Sequence, residues 1–117
     1  MGLSTHVLDT MHGIPAAGMQ VALYTTEGET VSLVKQFILN PDGRNPDGLL
    51  IVNDKLKTGT YRLTFWVADY FKEKGVLLPE PNFLGKVSLD FGIADIDQHY
   101  HVPLLVSPWS YSTYRGS

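Results

Sequence analysis

Three histidines and two arginines carry most of the chemistry this sequence could perform. His99 and His101 stand two residues apart in His99-Tyr100-His101-Val102-Pro103-Leu104-Leu105. On a strand, that spacing puts both imidazoles on one face and Tyr100, Val102 and Leu104 on the other. Imidazole titrates near neutrality, so two of them together suit proton transfer. His6 lies on the polar side of a similar alternation, Leu3-Ser4-Thr5-His6-Val7-Leu8-Asp9. Arg44 follows Asp42-Gly43 at a loop-to-strand junction. Its planar fork of donors suits carbonyl oxygens or an anionic heterocycle. The chain closes on Tyr111-Ser112-Thr113-Tyr114-Arg115-Gly116-Ser117, which adds two phenols, several hydroxyls and a second guanidinium.

Each of these residues also has an ordinary reading. A lone strand histidine makes one surface hydrogen bond, a turn arginine is solvated, and strand tyrosines pack. His12 lies in a turn and is expected at the solvent. His6, His99 and His101 could share a zinc ion, but no carboxylate or cysteine stands at ligand spacing beside them. No metal and no other cofactor are expected. The absence of cysteine removes thiol catalysis and disulfides. No nucleophile elbow, phosphate-binding loop or dinucleotide fingerprint offers a competing site.

The elements that must position these residues are short and extended. Strand alternation covers 3–9, 18–26, 31–40, 49–52, 59–67, 83–91, 99–106 and 110–115. Glu27-Gly28-Glu29 reads as a hairpin turn. Residues 40–48 are written almost wholly in turn chemistry. Ala68–Lys74 is the one helix candidate, with Gly75 past its end. This pattern predicts an all-β protein, an antiparallel β-sandwich of about eight strands with one short helix. Trp66 and Trp109 read as packing or interface residues.

Bulk properties narrow the partners. The 117 residues suffice for one domain, 1–117, with a single core. Hydrophobic residues at 44% and charged residues at 18% are ordinary for a globular fold. A net charge of −3 gives no basic footprint for nucleic acid. No apolar run approaches a bilayer span, and no charged-then-apolar leader opens the chain. A cytoplasmic protein with no nucleic-acid or membrane partner is expected.

In order along the chain, Leu3-Ser4-Thr5-His6-Val7-Leu8-Asp9, Gly13-Ile14-Pro15-Ala16, Asp42-Gly43-Arg44, Tyr70-Phe71, His99–Leu105 and Tyr114-Arg115-Gly116-Ser117 resemble the transthyretin-related 5-hydroxyisourate hydrolases. The resemblance spans essentially the whole chain. It implies a transthyretin-like sandwich assembled as a homotetramer, a dimer of dimers with active sites between dimers. It implies hydrolysis of 5-hydroxyisourate to 2-oxo-4-hydroxy-4-carboxy-5-ureidoimidazoline in urate degradation, by histidine-activated water without a metal. His6, Arg44 and His101 are the implied catalytic residues, with either histidine as the general base. Tyr114, Arg115, Gly116 and Ser117 are the implied substrate-binding residues. The closing tetrapeptide separates the hydrolases from transthyretin, the thyroid-hormone carrier on the same fold. A small-ligand carrier without catalytic activity is the alternative.

Overall fold

The computed structural model describes residues 2–116. Nine strands and one helix follow in order: β1 (Gly2–Asp9), β2 (Ile14–Pro15), β3 (Gln20–Glu27), β4 (Thr30–Ile38), β5 (Ile51–Val52), β6 (Gly59–Trp66), α1 (Val67–Glu73), β7 (Lys86–Ile93), β8 (Tyr100–Val106) and β9 (Tyr111–Thr113). They form two sheets. One runs β2-β1-β8-β9, with β5 also on β1; the other runs β4-β3-β6-β7. The expected all-β sandwich with one short helix is the fold.

Alternation sends one side of each strand into a shared core. Leu3 and Val7 of β1, with Tyr100, Val102, Leu104 and Val106 of β8, meet Val21, Leu23, Leu63, Phe65, Val87 and Leu89 of the opposing sheet, and all are buried. Each such aliphatic side chain contributes roughly 1.5–3 kcal/mol by leaving water. The other faces of β1 and β8 carry Ser4, His6, Leu8, His101 and Leu105, which are only half-buried. The candidate histidines therefore lie on the outer face of the first sheet.

The sheets depart from the antiparallel expectation at one place. β1 and β8 pair in parallel, with Leu3 opposite Tyr100 and Asp9 opposite Val106. The other strand pairs are antiparallel. Nearly the whole chain separates β1 from β8, so no hairpin dictates their relative direction.

Several strand boundaries also shift, two of them for a visible reason. The alternation from Phe83 becomes a ladder only at Lys86. The Asn82 amide donates to the Leu84 carbonyl at 3.0 Å and to the Pro108 carbonyl at 3.3 Å, and Phe83 stays exposed. The last strand shortens to Tyr111–Thr113. In the alternating antiparallel pattern, Pro103 is due to exchange hydrogen bonds with Tyr114. Proline has no N–H to give, so the ladder lapses there. It resumes where Gly116 bridges His101.

The helix buries Val67, Tyr70 and Phe71, spaced three and four apart as one apolar face requires. Gly75, at φ +82°, lets the chain leave the helix while the Val76 amide bonds the Phe71 carbonyl at 3.0 Å. The Tyr70 hydroxyl donates to the Asp9 carboxylate at 2.8 Å, which ties the helix to the end of β1.

Candidate active site

The parallel register of β1 and β8 builds the site. It sets Ser4 opposite His101 and His6 opposite Pro103. Ser4 Oγ lies 2.8 Å from His101 Nδ1 and 3.1 Å from His99 Nε2. The Gly2 amide donates to His99 Nδ1 at 3.1 Å.

The turn-rich loop brings Arg44 to the same face. Asn40 Oδ1 accepts from the amides of Asp42 and Arg44 at 2.9 and 3.0 Å, and the Gly43 amide bonds the Asn40 carbonyl at 2.8 Å. The loop is thus folded on itself before it meets β1. There the Val7 amide donates to the Gly43 carbonyl at 3.0 Å, and His6 and Arg44 form an antiparallel bridge. Gly43 has φ +74°, and a Cβ on it would stand 2.6 Å from the Val7 carbonyl oxygen. Only glycine fits so close an approach in that conformation.

Burial and one cation set the electrostatics. Burial, then the Arg44 guanidinium, lowers the His6 pKa, against a smaller opposing pull from Asp42. Burial and then Arg44 also lower that of His101, helped by His6 and His99 and opposed weakly by the Ser4 main chain. Both imidazoles are therefore biased toward the neutral form, the form able to accept a proton from water. Among the described residues no three His, Cys, Asp or Glu side chains are grouped to hold a metal ion. A shallow recess of about 490 Å³ opens beside Ser4, Arg44 and His99.

The C-terminal segment divides between two faces. Gly116 exchanges main-chain hydrogen bonds with His101 at 2.7 and 3.3 Å. A Cβ on Gly116 would stand 3.0 Å from the His101 ring, so the bare glycine lets the segment lie against that imidazole. The Arg115 side chain turns elsewhere. It donates to Gln98 Oε1 at 2.7 Å and lies 4.4 Å from the centre of the Tyr100 ring. With Tyr111 and Tyr114 it lines a separate cleft of about 470 Å³ between the sheet edges. The structure thus brings His6, Arg44, His101 and Gly116 together and places the Arg115 and Tyr114 side chains apart from them. Ser117 lies outside the described residues.

Residues 3–116 match the model of the HIUase/Transthyretin family. The chain belongs to that family. It is 55% identical over 115 residues to 5-hydroxyisourate hydrolase 2 of Rhizobium meliloti, covering 98% of this chain and 95% of the relative. Among solved structures, the 5-hydroxyisourate hydrolase of Klebsiella pneumoniae is 33% identical with a TM-score of 0.81, each chain wholly covered. Sea bream transthyretin, solved with thyroxine, has a TM-score of 0.85 at 22% identity, covering 99% of this chain and 95% of that one, which shows the shared fold.

This member of the HIUase/Transthyretin family holds two arrangements that reading the sequence missed. Ser4 touches both histidines of the His99-Tyr100-His101 run, but a serine in a strand carries no signal of its own. Asp9 is wholly buried and accepts from the His12 amide at 3.0 Å, the His12 ring at 2.6 Å and Tyr70. Burial pushes the Asp9 carboxyl up, but these hydrogen bonds outweigh it and hold the pKa below its ordinary value. His12, expected merely to face solvent, is exposed yet tied to this carboxylate.

Proposed function

We propose that this protein hydrolyses 5-hydroxyisourate to 2-oxo-4-hydroxy-4-carboxy-5-ureidoimidazoline, a step of urate degradation. Its relatives carry the name 5-hydroxyisourate hydrolase over nearly their whole lengths. The observation that carries the reading is the meeting of one guanidinium with two neutral-leaning imidazoles on one face. Water attacks a ring carbonyl. One of His6 and His101 takes its proton, and the other orients the reacting groups. Arg44 holds the developing oxyanion. No cofactor enters, and full activity after exhaustive chelation is the expected result. Tyr114, Arg115, Gly116 and Ser117 shape the substrate wall, with Gly116 against His101 and Arg115 anchoring the segment on Tyr100.

The recess is shallow and open in one copy, which suits a site completed by another. We assign a homotetramer, a dimer of dimers. β7 and β9 end their sheets with unpaired edges, and Tyr111, Tyr114, Trp109 and Phe83 are exposed nearby. Edge pairing between copies removes such edges. Light scattering on the eluting protein reads the assembly directly. A cytoplasmic location fits a chain whose described residues include no helix long and apolar enough to cross a membrane.

Ultraviolet absorbance tests the activity. Urate oxidase generates 5-hydroxyisourate in the cuvette, and this protein should speed the loss of its absorbance. Decay at the spontaneous rate would overturn the hydrolase reading and leave the small-ligand carrier. One guanidinium and two imidazoles gathered on this face weigh against a carrier of apolar ligands.

A further inference from the structure

The hydrogen bonds behind His101 run in one direction. A backbone N–H can only donate, so His99 Nδ1, which receives the Gly2 amide at 3.1 Å, is an unprotonated nitrogen. A neutral His99 then carries its proton on Nε2. That nitrogen is 3.1 Å from Ser4 Oγ, and its N–H donates to the hydroxyl. The hydroxyl proton is left to point at His101 Nδ1, 2.8 Å away. A nitrogen that accepts there is unprotonated, so a neutral His101 carries its proton on Nε2. Among the described residues, Nε2 makes no hydrogen bond. A proton on His99 Nδ1 would face the Gly2 N–H donor to donor, which opposes the reverse order.

We infer that this relay, from Gly2 through His99 and Ser4, fixes His101 as the Nε2–H tautomer, a neutral hydrogen-bond donor to the substrate oxygen, and leaves the proton traffic to His6. The inference rests on the hydrolase reading above and settles which histidine is the base. His6 takes a proton from water as the water oxygen bonds to the carbonyl carbon. The carbonyl electron pair moves onto oxygen, where Arg44 and His101 Nε2–H meet it. The oxygen pair then re-forms the carbonyl as the ring carbon–nitrogen bond breaks, and the departing pair stays on nitrogen, which receives the proton from His6. His101 ends as it began, its proton still on Nε2. A neutral imidazole is a competent electrophile when its cationic form is disfavoured, as burial and then Arg44 disfavour it here. Ser4 and His99 are positioning residues.

Nitrogen-15 NMR of histidine-labelled protein reads the tautomers without any turnover. Wild-type His99 and His101 should both show protonated Nε2 and bare Nδ1. Ser4→Ala should collapse the His101 preference and lower kcat about tenfold, the effect of one lost orienting hydrogen bond. Ser4→Thr, which keeps the hydroxyl, should restore both. His99→Phe should reproduce the Ser4→Ala signature at His101. A wild-type His101 protonated on Nδ1, or a tautomer and kcat unmoved by Ser4→Ala, would overturn the relay. Failure of the hydrolase reading looks different: the tautomers stand as described while the protein leaves 5-hydroxyisourate decay unchanged.

Discussion

His6 and Arg44 face each other across an antiparallel main-chain bridge. The proposed base and the proposed oxyanion donor are therefore coupled through the backbone, not only through their side chains. The coupling depends on Gly43, whose carbonyl accepts from Val7. Gly43→Ala should cost about 1–2 kcal/mol for its left-handed conformation alone, and the contact with the Val7 carbonyl adds to that. Thermal unfolding should show the loss, and kcat should fall with it because Arg44 moves. A variant that melts and turns over like wild type would show that the bridge has slack.

Removing either imidazole that shares the face with Arg44 should be severe. His6→Ala and His101→Ala should each lower kcat by ~10²-fold or more, as expected for losing a positioned catalytic group. His12→Ala should leave kcat near wild type, since that ring serves Asp9. Steady-state kinetics in which His12→Ala is as damaging as His6→Ala would remove His6 from the mechanism.

The pH profile should carry the mark of Arg44. Burial and Arg44 hold both histidines below their ordinary 6.5, so the acid limb of kcat/KM should lie below that value. Arg44→Met removes one of those causes, and the limb of the residual activity should move to higher pH. Stability follows the same sign. Below pH 6.5 the unfolded chain binds protons that the folded histidines resist, so stability falls as pH drops through that window. A limb that stays in place in Arg44→Met would show that burial alone sets these pKa values.

Asp9 makes a separate prediction about the scaffold. Its carboxylate receives two hydrogen bonds from His12 and one from Tyr70 while wholly buried. Asp9→Ala removes the acceptor of all three hydrogen bonds and should cost on the order of 3 kcal/mol, because the buried Tyr70 hydroxyl left without its partner bears the desolvation penalty. Denaturant unfolding measures the loss. Tyr70→Phe should cost less, since it removes one donor and leaves no buried group unmatched on the helix.

Deleting residues 114–117 should abolish catalysis and keep the sandwich. The buried core lies before Ser107, while Gly116 lies against the His101 ring. Arg115→Ala separates anchoring from direct contact. An anchoring Arg115 makes the variant sensitive in kcat through His101, whereas an Arg115 that binds substrate shows mainly in KM. Circular dichroism and size-exclusion chromatography beside the assay exclude unfolding and dissociation as the cause.

Much of this was legible in the sequence because period-two alternation reports the face of a strand. It puts His6, His99 and His101 on one type of face, and Asp42-Gly43 marks the turn that delivers Arg44. What alternation cannot report is partnership at a distance. The parallel meeting of β1 with β8 and the bonds from Ser4 to two histidines link positions 95 and 97 residues apart. The Asp9–Tyr70 bond spans 61. The direction of Arg115 also depends on a pairing that only the fold supplies. Continued past Pro103, the β8–β9 register sets Arg115 beside Val102, whose side chain points inward, away from the face of His101.

The parallel pairing of β1 with β8 also sets when this site can come into being. Residues 2–9 emerge from the ribosome long before residues 100–116, so β1 waits with its outer histidine unaccompanied until β8 docks. Long-range closure of this kind is slow to form. Every partly folded species that lacks β8 lacks Ser4's partners, His101 and the Gly116 bridge together. Recovery of activity during refolding is thus a clock for the last joining event, and it should lag behind any optical signal that reports only the β4-β3-β6-β7 sheet.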